Sequence, residues 1–331
     1  MEHANRLIEG KSPAVLATSA ATGLVAARLV WQAIKALCLS DADLVTYDAV
    51  LQPEYFRSKV VFITGGSSGI GKQIAIELDR LNVGVKIVLG ARRVDALEEA
   101  SKTLKCESKC VRVDLENLES LENVVKEVTG VFGRVDILVN NGGISTRAFA
   151  AETSFNVDER VMKINYLSHA KLAKLVLPGM IQRKQGHIIN ISSLAGKLGS
   201  PLRSAYSASK FAVLGFFNCV RLEVFEHGVH VTNVCPGSVQ TDVARNALLS
   251  NGSQFNSEDP HIANGQTVER CARLVLAAAS NHITESWFFG SPKEKLASYF
   301  SQYCPGTFSN AIVLMSAKLC EQARTLLAKN K

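Results

Sequence analysis

Tyr206 and Lys210 stand four residues apart in the stretch Tyr206-Ser-Ala-Ser-Lys210. On a helix that spacing projects both side chains from one face, so the lysine ammonium sits near the phenol and favours its ionised form. A free phenol titrates near ~10, too high for efficient proton exchange at neutral pH, and a neighbouring cation brings it down. The pair reads as a proton donor. Many helices carry the same spacing by chance, so the rest of the chain has to decide.

A second candidate lies upstream. Gly65, Gly69 and Gly71 follow the apolar run 60–64 and open a helical stretch at 72–81. A backbone that turns sharply there can approach a ligand closely, and the helix N-terminus offers unpaired N–H groups and positive dipole charge to a phosphate. An NAD site places an acidic residue about 20 positions further on, at the end of the second strand, to hold the ribose hydroxyls. This chain has Ala91-Arg92-Arg93 there. Two cations in place of an acid point to a phosphorylated ribose, hence NADP (NADPH) as cofactor; the plainer alternative is a pair of arginines solvating a helix start. Lys72 adds to the same positive field.

The elements that must position these groups follow from the apolar pattern. Strand candidates fall at 60–64, 85–89, 110–113, 135–140, 187–192, 229–235 and 285–289, with helical stretches between them. Such alternation implies an α/β fold of the Rossmann type: a doubly wound, mostly parallel seven-stranded sheet with helices on both faces. Ligands of such sheets bind outside the carboxyl ends of the strands.

The glycine spacing is TGxxxGxG, from Thr64 to Gly71, and with the Tyr–Lys pair the chain resembles the short-chain dehydrogenase/reductase family. The resemblance covers 59 to about 290. It implies that Thr64, Gly65, Ser67, Ser68, Gly69, Ile70 and Gly71 form the cofactor turn, that Asp114 contacts the adenine, and that Asn140-Asn141-Gly142-Gly143 is the family's NNAG, with Gly142 where alanine is usual. It implies a catalytic set of Asn165, holding a water in a proton relay, Ser193, on the substrate oxygen, Tyr206 and Lys210. Ser193 is chosen over Ser192 because it lies thirteen residues before Tyr206. The run Pro236-Gly237-Ser-Val239-Gln-Thr241 matches the family's PG motif, where Thr241 faces the nicotinamide carboxamide or phosphate. The residues that follow, to 266, are rich in Asn, Ser and Gly and read as a mobile substrate lid.

Composition bounds the remainder. At 331 residues, 47% of them hydrophobic, the chain is a globular protein able to bury a full core. The expected organisation is an N-terminal hydrophobic segment and connector at 1–58, a catalytic domain at 59–290 and a helical C-terminal extension at 291–331. The eight cysteines are scattered; Cys106 and Cys110 form the only close pair and no second Cys or His pair lies at zinc spacing, so free thiols and no metal site are expected. The net charge of +7 shows no basic run interleaved with aromatics, which argues against nucleic acid. From Pro13 to Ala27 no charge occurs, then Arg28 and Lys35 interrupt the apolar run. A spanning helix needs about 20 apolar residues, so three readings stay open: a membrane anchor or interfacial helix, a signal peptide, or a soluble amphipathic helix.

Details beyond the motifs resemble a microsomal, membrane-attached branch of the family whose members act on steroids, retinoids and other lipophilic carbonyls. That resemblance implies an NADP-dependent oxidoreductase of the endoplasmic reticulum membrane, with the cytoplasm as the alternative location, and a homodimer through the helices that carry Asn165 and Tyr206. The rival from a different class is a non-catalytic dinucleotide-binding scaffold. Asn251-Gly-Ser253 and Asn190-Ile-Ser192 are glycosylation sequons, of which the second is expected to be buried.

Overall fold

The computed structural model describes residues 49–328, together with 25 and 28. Of the apolar N-terminal segment, therefore, all but two residues lie outside the described part, and so does Cys38. Seven strands, β1 (Val60–Thr64), β2 (Lys86–Ala91), β3 (Ser108–Arg112), β4 (Ile137–Asn140), β5 (Gly186–Ile191), β6 (Val229–Pro236) and β7 (Glu285–Phe288), form one sheet in the order 3-2-1-4-5-6-7. All six pairings are parallel. The order reverses between β1 and β4, which opens a crevice at the carboxyl end of β1 where a doubly wound sheet takes its ligand.

Alternation along β1 explains the two layers. Val61 and Ile63 turn to one face, where they meet Ile74 and Leu78 of α1 (Gly69–Arg80), Leu97 of α2 (Val94–Lys102) and Val275 of the long helix that precedes β7. Phe62 turns to the other face and meets Leu121 of α3 (Leu121–Phe132). That second layer also holds α4 (Phe155–Met162), α5 (Ser168–Gln182) and α6 (Ser204–Val224). On α6 the buried positions Lys210, Val213, Phe217, Val220 and Val224 recur every three or four residues, so one stripe faces the sheet. Beyond β6 come a short turn α7 (Pro260–Ala263), then α8 (Val268–Ser280), α9 (Pro292–Tyr303) and α10 (Pro305–Ala328). The helical C-terminal extension is therefore two helices.

Two polar chains cross the sheet. In register on adjacent strands, Asn140 Nδ2 donates to Asn190 Oδ1 at 2.9 Å, Asn190 Nδ2 to Asn233 Oδ1 at 3.0 Å, and Asn233 Nδ2 to Asn218 Oδ1 of α6 at 3.0 Å. This ladder ties α6 to three strands and leaves the sequon at Asn190 fully buried. Asn251 of the other sequon is exposed.

The second chain lies at the amino end of the sheet. Thr232 Oγ1 donates to the Ile283 carbonyl at 2.8 Å, so it accepts from His187 Nε2 at 2.9 Å, and His187 Nδ1 in turn accepts from the Tyr55 hydroxyl at 2.7 Å. His230 stacks on His282 beside them with ring centres 3.7 Å apart, and Lys59 Nζ lies 4.2 Å from the centre of the Tyr55 ring. Burial first, and then the neighbouring rings and Lys59, depress the basicity of His187, His230 and His282; Asp136, with Arg134 across it, is the other charged group at this end. Histidines held below their unfolded value near ~6.5 contribute stability that is complete above that pH and is lost as pH falls through it, because the unfolded chain takes up the protons first. The urea midpoint is expected to be flat from about pH 8 to 7 and to fall progressively below about 6.5. Replacing the stacked pair by glutamine (His230→Gln with His282→Gln) should lessen that fall, and an unchanged slope in the double variant would dismiss the stacked pair as a source of it.

Candidate active site

The glycine turn leaves β1 in a left-handed conformation, with Gly65 at φ +67° and Gly69 at φ +55°, which only glycine adopts without strain. Close packing adds a second demand at Gly71, where a Cβ would stand 2.5 Å from the Gly65 carbonyl oxygen and 2.5 Å from Asn141 Nδ2. Ser68 makes no side-chain cap and the first turn of α1 has no acidic residue, so its N-terminal N–H groups and dipole present unopposed positive charge. Gly65, Ser67, Ser68, Gly69 and Ile70 line one large cavity of about 1450 Å³. Arg92, Arg93 and Asp114, at the ends of β2 and β3, line the same cavity.

Thr64 and Gly71 do not line it. Thr64 is fully buried and its hydroxyl donates to the Val139 carbonyl at 3.2 Å while accepting from the N–H groups of Asn141 at 3.0 Å and Gly142 at 3.1 Å. It fastens the end of β4 to the glycine turn, and Asn141 Nδ2 returns the tie to the Thr64 carbonyl at 2.9 Å. These residues shape the wall that Asn141 and Gly142 present to the cavity. At Gly142 a Cβ would meet Leu115 Cδ1 at 2.5 Å, so the glycine in place of alanine is matched by the leucine opposite.

Strand β5 ends in the two serines and their roles separate. Ser192 is buried, donating to the Lys210 carbonyl at 3.1 Å, and so anchors α6. Ser193 is half-buried in the cavity wall, accepts from Ala195 N–H at 3.1 Å and makes only a long contact, 3.4 Å, to the Pro236 carbonyl. Its proton is thus weakly engaged. On α6 the Lys210 Nζ sits 5.7 Å from the centre of the Tyr206 ring and donates to the Ile191 carbonyl at 2.9 Å. Burial lowers the pKa of Lys210 and the charge of a Tyr206 phenolate opposes that. The two groups are electrostatically coupled in a site of low dielectric.

The helix expected at 161–177 is not continuous. Residues Lys163–Leu167 form a single wide π turn between α4 and α5, a feature often found at functional sites, and Asn165 lies in it. Its amide accepts from Ile144 N–H at 2.8 Å and donates to the Ile144 carbonyl and to Ser209 Oγ, both at 2.9 Å. Ser209 donates to the Tyr206 carbonyl at 2.7 Å. Asn165 thereby clamps the loop after β4 to the turn of α6 that carries Tyr206. Gly143 lies between Asn165 and Lys210, since a Cβ there would stand 3.0 Å from Asn165 Oδ1 and 3.7 Å from Lys210 Nζ.

His169 is buried beside this group. Its Nε2 donates to the Gly142 carbonyl at 2.8 Å, and burial, then the charge of Lys210, push its pKa down to about 3. It is therefore neutral and holds the Gly142 carbonyl in place.

Pro236, Gly237, Val239 and Thr241 also line the cavity. One residue that sequence reasoning passed over holds them there: Glu294 of α9, whose Oε1 accepts from Ser238 N–H at 3.0 Å and Ser238 Oγ at 2.6 Å while Oε2 accepts from Gly290 N–H at 2.7 Å. Ser291-Pro-Lys-Glu294 has the pattern of a capping box, and the Ser291 hydroxyl does accept from Glu294 N–H at 3.3 Å. The carboxylate, however, reaches across to the PG loop. Nothing in the sequence around Glu294 signals a partner 56 residues away.

A glycine cradle at a bare helix N-terminus, with a buried lysine and a half-buried tyrosine at the far end of the same cavity, is a place for a dinucleotide beside a proton donor. The short chain dehydrogenase profile matches residues 59–251. The chain belongs to the short-chain dehydrogenase/reductase family. Among its relatives, human dehydrogenase/reductase SDR family member 7 is 39% identical over 278 residues, covering 80% of this chain and 81% of that one. A metagenomic short-chain oxidoreductase solved in complex with NADP superposes with a TM-score of 0.58 at 28% identity, over 72% of this chain and 99% of its own. A short-chain dehydrogenase/reductase from Burkholderia phymatum, solved with NAD, shares the fold with a TM-score of 0.66 over 75% of this chain and 94% of its own, at 24% identity. As a member of the family the chain is an oxidoreductase that binds a nicotinamide dinucleotide and a small-molecule substrate.

Proposed function

We propose that the protein is an NADP(H)-dependent oxidoreductase that interconverts a carbonyl and a secondary alcohol on a lipophilic substrate such as a steroid or retinoid, with 59–290 as its catalytic domain. The observation that carries this reading is that Ser193, Tyr206 and Lys210 share one cavity with the glycine turn and with Arg92 and Arg93. The dinucleotide supplies or accepts the hydride. Tyr206 exchanges a proton with the substrate oxygen at its hydroxyl, and Ser193 donates a hydrogen bond to that same oxygen. Lys210, with one proton on the Ile191 carbonyl, stabilises the phenolate and directs its remaining protons to the ribose. Asn165 holds the loop after β4 and α6 in register beneath them and stands next to Lys210 across Gly143, where a relay water would connect the two. The two arginines take the ribose phosphate and Asp114 the adenine.

The wall opposite includes residues of the segment from Gly237 to Gln266, which we assign as the substrate lid, and of α10, which favours a substrate enclosed along its length over one held only at its tip. The exposed run Val313-Leu314-Met315 on α10 and exposed Leu296 on α9 support contact with a membrane surface, consistent with placement at the endoplasmic reticulum rather than free in the cytoplasm. No described helix is long and apolar enough to cross a membrane. Exposed Leu167 at the end of the π turn and Phe211 and Leu222 on α6 support a homodimer through those helices.

The test is a panel of steroid, retinal and quinone carbonyls mixed with full-length, membrane-extracted protein and NADPH. Loss of NADPH absorbance with at least one of them is expected. NADPH binding with no turnover on any member would favour the non-catalytic scaffold instead.

A further inference from the structure

Arg147, in the loop after β4, is only 2% exposed yet lines the cavity that Tyr206 lines. It is pinned on both sides. Its own N–H donates to the Leu248 carbonyl at 2.8 Å, and its neighbours Thr146 and Ala148 donate to the Leu202 carbonyl, Oγ1 at 3.1 Å and N–H at 3.2 Å, in the turn that leads into α6. The guanidinium donates from Nη1 to Ser145 Oγ at 3.1 Å and the Thr146 carbonyl at 2.8 Å, and from Nη2 to Asp259 Oδ2 at 2.8 Å. Arg203, three residues before Tyr206, donates to that same Asp259 oxygen at 3.1 Å. Two guanidinium groups therefore share one carboxylate, Arg147 buried and Arg203 partly exposed, so the buried arginine holds only a share of its counter-ion. Arg147 Nε has no partner among the described residues.

An uncompensated buried cation is costly unless another anion faces it. We propose that Arg147 is a positioning residue for the reaction, a second buried cation that stabilises the phenolate of Tyr206, with Asp259 of the lid as the counter-ion that sets how much of its charge the phenol feels. The proposal rests on the oxidoreductase reading above. In support, burial and then Arg203 draw the Arg147 pKa down to about 10, while Asp259 and the Tyr206 phenolate act against them. Lys210 reaches the phenol ring from its own helix, and Arg203, Asp259 and Arg147, bonded to one another, line the same cavity from the start of α6, the lid and the loop after β4. The other ionisable groups of that end of the cavity are engaged elsewhere or exposed: Glu294 on the PG loop, Glu258 on Arg245, His261, whose backbone N–H donates to Asp259 Oδ1 at 3.0 Å, and Asp242, Lys318 and Glu321 along the lid and α10.

The two members of the pair should move the phenol in opposite directions. Alcohol oxidation needs the phenolate, so the acid limb of kcat/KM for NADP-dependent oxidation reports it. Arg147→Met should shift that limb to higher pH by roughly one unit and lower kcat/KM at neutral pH about tenfold, with Arg147→Lys recovering most of it. Asp259→Asn, which leaves both arginines uncompensated, should shift the limb to lower pH. NADPH affinity should be unchanged in all three. A simple structural latch between loop and lid would lower the rate in both variants and leave the limb in place, and that result, or shifts of the same sign, would overturn the proposal. Should Arg147→Met fail to fold, the Asp259→Asn shift alone decides it. Because the reading of the reaction could itself fail, the Tyr206 phenol is also titrated directly, by ultraviolet difference against Tyr206→Phe in each background. That titration needs no substrate, so an oxidoreductase inactive on the panel but with opposite phenol shifts would retain the electrostatic inference and lose only the reaction.

Discussion

Tyr206→Phe is expected to bind NADPH as the native protein does and to lose about 10²- to 10⁴-fold in kcat, the range that a positioned acid–base group supplies. The substitution removes one oxygen from a half-buried ring. None of the hydrogen bonds that hold the neighbourhood uses that oxygen: Ser209 bonds the Tyr206 backbone carbonyl, Asn165 bonds Ile144 and Ser209, and Lys210 bonds the Ile191 carbonyl. The fold should therefore stay intact and the cofactor turn, at the other end of the cavity, should not respond. KM for the carbonyl substrate should change little compared with kcat. Stopped-flow NADPH consumption beside equilibrium NADPH binding measures both, and turnover within a few-fold of the native enzyme would remove Tyr206 from the chemistry.

Arg92→Asp is expected to reverse the cofactor preference. Arg92 and Arg93 lie at the end of β2, exposed and on the cavity wall, with nothing acidic at that strand end to hold a bare ribose. A charge-assisted bond to a phosphate contributes roughly 1.5–3 kcal/mol when well formed, less where water competes, so removing one arginine should cost NADP about ten- to a hundredfold in kcat/KM. The new carboxylate repels the phosphate and accepts from the ribose hydroxyls of NAD, which should improve. The ratio of kcat/KM for NADP to that for NAD is the readout. An unchanged ratio would mean that Arg92 only solvates the start of α2, and Arg93→Asp would then be the variant to weigh. With exposed arginines the discrimination is salt-dependent, so the comparison belongs at one ionic strength.

The candidate site residues were legible wherever a short spacing carries the constraint. Four residues on a helix place Lys210 by Tyr206, and a left-handed turn at the end of an apolar strand calls for Gly65 and Gly69. The alternation of strands and helices likewise leads to a parallel sheet, since crossovers between neighbouring strands have room for little else. The choice of Ser193 over Ser192 came from the family's spacing, and the physical ground for it is that Ser192 spends its proton on the Lys210 carbonyl. The break in the 161–177 helix was not legible, because a π turn changes one hydrogen-bond register without changing the residue types that favour a helix.

What the sequence by itself determined is therefore local: the order of strands and helices, the glycine turn after β1, the lysine beside its tyrosine, and a pair of arginines at the end of β2. Tertiary structure alone decided which distant polar groups meet. Glu294 reaches the PG loop across 56 residues, Arg147 meets Asp259 across 112, and Asn140, Asn190 and Asn233 form one ladder only because three strands lie in register. Glu294, Arg147 and Asp259 look like ordinary surface residues in the linear chain, and contact with a distant partner is what converts them into supports of the cavity wall. The same physics separates the two cations near Tyr206: Lys210 is tied to the phenol by helical geometry, whereas Arg147 gains its position from the packing of a loop between the start of α6 and the lid.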